Sequence, residues 1–548
     1  MANRYWVGGM GTWDTTSTAN WSTTSGGASG ASVPTAADSV IFDANSNGAP
    51  YTVTLTGALT CLDFTATAGF APTFSSTGTL TVSGNFSIMS TVVWNATGAI
   101  TFNSTTSVTI TTNGVSLQCN VVFNGVGGTF NLGGALTTSS TLTSNLTTGT
   151  INMNNYNMSF GGFQSTSGLS RTINFGTGIM YITGIALNNN ISSTANFLIT
   201  GTNPSQIVTY TGSGAMSFSH QNVNGTQAAG TWGREIYYKF IAGTYSISSF
   251  NSTGRSCDFT GFSGTWSKGG INYIPGDLVL SSTMLVPSSA STTFFNASGT
   301  QYITLAGKEW QQPITIGTSG FPSPTVVLND AFLIQSTAST KGVTLYGGTL
   351  NLNGNTMTMA PSGVFTVNDS AAGQTQNITF NGGTIVCPLG FTYTSGNFTT
   401  TAGTSPGKIS MTGTATFAGG GKTYNTNLSA DVAGTITITG ANTFTSISNG
   451  VTNAALVFPA STTTTVTNWN VSGVVASLCT ITSSAPGTQA TLSKSSGTVS
   501  SNYLSLKDSA ATGGATWYAG ANSTNVSNNT GWLFSNAPST AGFLMFLR

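Results

Sequence analysis

Apolar and polar residues alternate along most of the chain in short bursts of four or five positions. GALTC begins at Gly57, GTLTV at Gly78 and GAITF at Gly98, at steps of 21 and then 20. GTFNL at Gly128 and GTINM at Gly149 are 21 apart, GVFTV at Gly363 and GTIVC at Gly383 are 20 apart, and GTATF at Gly413 and GTITI at Gly434 are 21 apart. A longer echo aligns GTINMNNYNMSF from Gly149 with GTLNLNGNTMTM from Gly348. A two-residue period is that of a strand with one buried face. The leading glycine supplies a corner where φ can be positive. Thr, Val and Ile suit the pleated surface. Helical patterning is nearly absent: Glu occurs only at Glu235 and Glu309, and Glu235 with Lys239 is the only Glu–Lys pair at i, i+4 spacing.

A strand phrase returning about every 20 residues predicts an all-β fold, a parallel β-helix (β-solenoid) with one coil per repeat. If the whole chain coiled this way it would hold roughly 25 coils, about 4.8 Å apart, on the order of 120 Å in all. An array of β-sandwiches is the competing reading, but sandwiches seldom repeat one phrase at a fixed step. The pattern divides the chain into a Trp/Gly module at 1–50, solenoid at 51–219, an irregular aromatic and charged stretch at 220–280, solenoid at 281–500, and a closing module at 501–548.

Composition narrows the function classes. Only 5% of residues are charged and the net charge is +1. Solubility therefore rests on neutral Ser, Thr, Asn and Gln, and no basic stripe exists for nucleic acid. Hydrophobic residues make up 39% and aromatics 10%, enough to build a core and unlike a disordered chain. The five cysteines (Cys61, Cys119, Cys257, Cys387, Cys479) form no C-x-x-C, and the one histidine is His220. This predicts buried free thiols and neither a metal site nor a cofactor. The opening MANRYWVGG lacks the apolar core of a secretory signal, and no apolar run is long enough to span a membrane.

The stretch 220–280 holds most of the candidate chemistry. Trp232, Tyr237, Tyr238, Trp266 and Tyr273 lie among Asn, Ser and Gln, the mixture that stacks on and hydrogen-bonds sugars. Packing of a junction between solenoid segments is the alternative reading of the same rings. Cleaving a glycosidic bond needs two facing carboxylates; Glu235 and Asp258 are the densest pair, with surface pairing of Glu235 to Arg234 or Lys239 as the plainer reading. No nucleophile elbow, zinc-protease motif or phosphate-binding loop occurs, so a non-enzyme is expected.

The two ends carry a resemblance. RYWVGGMGTWDTTSTANWS followed by VPTAADSVIFDAN resembles the Trp–Gly module that opens many bacterial and phage surface β-solenoids, autotransporter-type passenger repeats included. YLSLKDSAATGGATWYAGANSTNVSNNTGWLF resembles a closing segment of phage tail-fibre-like proteins from environmental, especially marine, phages, and GGGKTYNTNLSA has the same character. The resemblance is specific over these end segments and compositional elsewhere. It implies a virion surface protein: a tail fibre or spike that recognises a host glycan or protein receptor. It further implies contact with other virion proteins, homo-oligomerisation as a trimer, and synthesis in the host cytoplasm without a signal peptide. A capsid decoration protein, a self-assembling extracellular filament subunit and a polysaccharide-degrading tailspike stay open as alternatives. The exposed ends of any solenoid assign Trp6, Trp13, Trp21, Trp517 and Trp532 to capping, with docking or receptor contact as the other reading.

Overall fold

The computed structural model describes residues 2–184 and, with short gaps, 256–538; between 185 and 255 it describes strand backbones alone. No helix occurs among the described residues. The chain forms two compact units, Met1–Pro287 and Ser288–Arg548. Both are built from parallel strands stacked as a β-solenoid, with about 18 turns and about 22 residues per coil in all. Each coil is therefore slightly longer than the sequence phrases suggest.

The phrases at Gly57, Gly78 and Gly98 stack directly. Leu80 pairs with Leu59 on one side and Ile100 on the other, and Val82 pairs with Cys61 and Phe102. All six side chains are buried. Thr60, Thr81 and Thr101 alternate with them and form an outward column in the same register. Period-two alternation thus places one set of residues in the core on every coil. The phrases at Gly413 and Gly434 also stack, Phe417 on Ile438. Those at Gly363 and Gly383 do not. Val364–Val367 pairs with Gly390–Tyr393, whereas Thr384–Cys387 belongs to another sheet and pairs with Lys408–Met411. They are neighbours around one coil, and their even spacing is not a stacking period.

Corner glycines have a cause the sequence did not suggest. Gly57 has φ +84°, but a Cβ on Gly98 would lie 2.1 Å from the Gly78 carbonyl oxygen, and one on Gly78 would lie 2.5 Å from the Leu55 carbonyl carbon. Here successive coils meet backbone to backbone, and glycine is needed for room.

Coils change length between strands, and at a few bulges within them, as where Asn124 and Thr129 pair with Thr148 and Thr150. Ile436 and Leu456 are register partners on successive coils, and so are Ile314 and Val343, although the second pair is much further apart along the chain. The extra chain of the longer coil leaves the strand register intact. The long echo at Gly149 and Gly348 marks the same kind of tight corner in each unit. Asn154 and Asn155 in one, and Asn353 with Gly354 in the other, turn the chain at positive φ.

Two ladders run along the stack. In the first unit rings of successive coils meet inside: Trp13–Phe64 at 6.3 Å, Phe64–Phe86 at 5.0 Å, Phe86–Phe102 at 5.6 Å and Phe102–Phe123 at 5.8 Å. In the second, Phe391 stacks between Phe365 at 5.3 Å and Phe417 at 5.1 Å. On the outside, the Asn152 amide donates to Asn131 Oδ1 (2.9 Å), and Asn131 donates to Ser107 Oγ (2.8 Å). Neutral side chains thus satisfy one another from coil to coil.

Candidate functional site

The first Trp-rich segment folds as three short strands, Asn3–Trp6, Gly11–Trp13 and Trp21–Ser22. Asn3–Trp6 joins the stack in parallel register with Ser39–Phe42. Trp21–Ser22 turns back and pairs antiparallel with it, Trp6 opposite Trp21. Every other strand pair with a described register is parallel. The flexible glycines allow the reversal, and the Trp6 indole N–H donates to the Gly9 carbonyl at 2.7 Å. Asn20 closes the turn through Nδ2 to the Val7 carbonyl at 3.1 Å. All three rings are buried. Trp21 meets Trp6 at 5.1 Å and Trp13 at 5.2 Å, both edge to face, and the group leans on Phe42. Edge-to-face contact matches the positive ring edge to the negative face.

A polar clasp holds this module. Arg4 donates to the Ser32 carbonyl and hydroxyl, and its guanidinium lies 3.9 Å from Asp38. Burial alone would raise the Asp38 carboxyl. Hydrogen bonds from Thr35 and Ala2, with the Arg4 charge, outweigh it and hold the group below its ordinary value.

The closing module is built differently. Trp517 and Trp532 are register partners on parallel strands Thr516–Tyr518 and Trp532–Leu533. Their buried rings meet at 5.0 Å, and Trp469 completes the group at 5.8 Å and 6.3 Å. The Trp517 indole donates to the Thr512 carbonyl and the Trp532 indole to Ser509 Oγ. Trp469 escaped the sequence reading because it lies outside the terminal segment. Its Asn468–Trp469 dipeptide repeats Asn20–Trp21 and was the available sign.

The aromatic set of residues 220–280 does not form a described sugar platform. Trp266 is fully buried and stacks on Phe259 at 4.9 Å. This corrects its assignment to glycan binding: the inward position of its strand puts the ring in the core, with no free face. Tyr237 and Tyr238 lie on strand Ile236–Phe240, and Tyr238 is the register partner of Cys257, whose side chain is buried. Tyr273 lies on strand Asn272–Ile274. The side chains of these three tyrosines, and Trp232 altogether, fall outside the described residues. So do Glu235 and the side chain of His220. Asp258 is 6% exposed and accepts from the Thr260 amide at 2.8 Å, a turn-capping contact.

Elsewhere the chemistry is quiet. Cys61, Cys119, Cys257, Cys387 and Cys479 are free thiols and all buried. Burial pushes the thiols of Cys119 and Cys479 up to about 12 and those of Cys61 and Cys387 higher still. Among the described residues no group of three or more His, Cys, Asp or Glu could hold a metal ion, and no helix is long and apolar enough to cross a membrane. What the coils do present outward is hydroxyl. Thr315, Thr344, Thr366 and Thr392 are register partners on four successive coils. No protein-family model, no curated protein and no solved structure matches the chain.

Proposed function

We propose that this protein is a non-enzymatic structural component of a phage surface appendage, of tail-fibre or spike type, that adheres to a host-surface glycan. The observation that carries the reading is the in-register column of Thr315, Thr344, Thr366 and Thr392. It offers neutral donors and acceptors at the coil spacing of about 4.8 Å, repeated without competing charge. A neutral polysaccharide is recognised by such groups. The Trp–Gly opening and the closing module support the same reading through their resemblance to phage surface solenoids. Incubating the protein with host cells and with their isolated surface polysaccharide tests it. Binding without release of reducing ends is expected. Release that disappears in Asp258→Asn would overturn the non-enzymatic reading, and absence of binding to both would overturn adhesion.

A further inference from the structure

Six Asn–Gly pairs lie among the described residues, at Asn47, Asn113, Asn124, Asn353, Asn381 and Asn449. This dipeptide carries its own chemistry. The glycine amide nitrogen attacks the asparagine side-chain carbonyl carbon, with no Cβ in the way. An N–Cγ bond forms, the Cγ–Nδ2 bond breaks, and the displaced proton leaves with ammonia. Water then opens the five-membered imide to aspartate or isoaspartate. The attack requires the backbone between the two residues to rotate, so a held backbone or a held side chain prevents it.

Five of the six pairs are held by neighbouring coils. Asn113 and Asn353 turn the chain at positive φ and donate through Nδ2 to the Ile88 and Leu328 carbonyls of the preceding coil. Asn381 donates to Asn351 Oδ1 and accepts from the Thr404 amide. Asn449 donates to the Ser472 carbonyl and accepts from the Ser472 amide. Asn124 lies within strand Val121–Leu132 in register with Thr148, and a Cβ on Gly125 would run into the Ser104 carbonyl oxygen, so that peptide is pressed against another coil.

Asn47–Gly48 is the exception. It lies between strands Ser39–Phe42 and Tyr51–Leu55, Gly48 is exposed, and a Cβ there would meet nothing within 4 Å. The Asn47 side chain bonds only within its own loop, Nδ2 to the Ala49 carbonyl at 2.7 Å, so it moves with that loop. We propose that Asn47 is a site of covalent modification, converting in the folded protein to aspartate and isoaspartate with release of ammonia. The change bears on the opening module. Gly9 donates to the Ser46 carbonyl at 3.1 Å, and a Cβ on Gly9 would lie 2.9 Å from Asn47 Cγ, so the Asn47 side chain lies against this glycine. Isoaspartate adds one carbon to the backbone beside that contact and frees the Gly9 amide.

Peptide mapping by mass spectrometry tests this, after long incubation of the folded full chain in mildly alkaline buffer. Acid should accumulate at Asn47 at least about tenfold faster than at Asn113, Asn353, Asn381 or Asn449, because opening a loop costs far less than opening a coil. In denaturant that lead should vanish. Protein converted at Asn47 should also exchange its Gly9 amide at least about tenfold faster than unconverted protein. Equal rates at these positions in the folded chain, or an intact Asn47 beside converted turns, overturns the proposal. So does a lead for Asn47 that persists in denaturant, since flanking sequence and not the fold would then set the rate. Unchanged exchange at Gly9 after conversion overturns the link to the opening module.

Discussion

Gly98 shows how little freedom single positions have. Its missing Cβ is what lets one coil lie 2.1 Å, by that virtual atom, from the Gly78 carbonyl. Gly98→Ala should cost about 2–4 kcal/mol, since backbone has to shift. Exposed Thr77→Ala should stay within about 0.5 kcal/mol. Urea unfolding of both variants checks the contrast. Asp431 is the second case. It accepts from Lys408, Ser410 and Ser429. Burial works against its charge, but these donors hold its carboxyl below the ordinary 3.8. A depressed folded value means stability that is present above 3.8 and lost as pH falls below it. Asp431→Asn should therefore cost about 1–2 kcal/mol at neutral pH, and the gap to wild type should close in acid melts below that value. The five buried cysteines should not react with a thiol reagent until the chain unfolds, because the thiolate is the reacting form and burial suppresses it; a folded-state reaction would contradict their placement.

The strand was the most legible level, and the ladder the next. Phe64 touches Trp13, Phe42, Phe74, Phe86 and Trp94. Phe64→Ala should lose about 3–5 kcal/mol, read as a lowered denaturation midpoint. Outside, Asn131 already spends its amide on Ser107 and the Val108 carbonyl. Asn152→Asp would face its Oδ1 with a second acceptor and should cost about 1–3 kcal/mol in thermal unfolding. Alternation in GALTC and GTLTV revealed these strands because two-residue periodicity is set by the pleat alone. Register was less legible. The Gly363 and Gly383 phrases look as evenly spaced as the Gly57 and Gly78 phrases, yet only the latter stack. A coil contains several strands of the same composition, so spacing by itself does not say which sheet each joins. The assignment of Trp266 to a sugar platform failed for a related reason. A tryptophan in a strand is inward or outward by parity, and SGTW gives no parity. Trp266 proved to be core.

At the scale of the whole molecule, the near absence of charge has a direct reading. With 5% charged residues, stability rests on burial and neutral hydrogen bonds that salt does not screen. The thermal midpoint should move by less than about 2 °C between 10 mM and 1 M sodium chloride. A larger shift would mean that ion pairs such as Lys408–Asp431 matter more than their number suggests. The Trp-rich ends were conspicuous in the sequence, but their difference was not. Antiparallel closure at Trp21–Ser22 depends on a turn made by Gly8, Gly9 and Asn20, and nothing in the ring spacing reveals it.

The stacking distance also sets a timetable. Neighbouring coils pair residues about 22 apart, roughly 0.04 of the 548 positions, far below the separations that make β-proteins slow to assemble. A ribosome releases that length in about 1–4 s, whereas local strand contacts form within microseconds. Each coil can settle on its predecessor before the following one emerges. The Trp6–Trp21 pair packs on Phe42, so this cluster is complete once Phe42 has emerged. Synthesis order becomes building order, and a chain interrupted midway would leave a shorter but already folded stack.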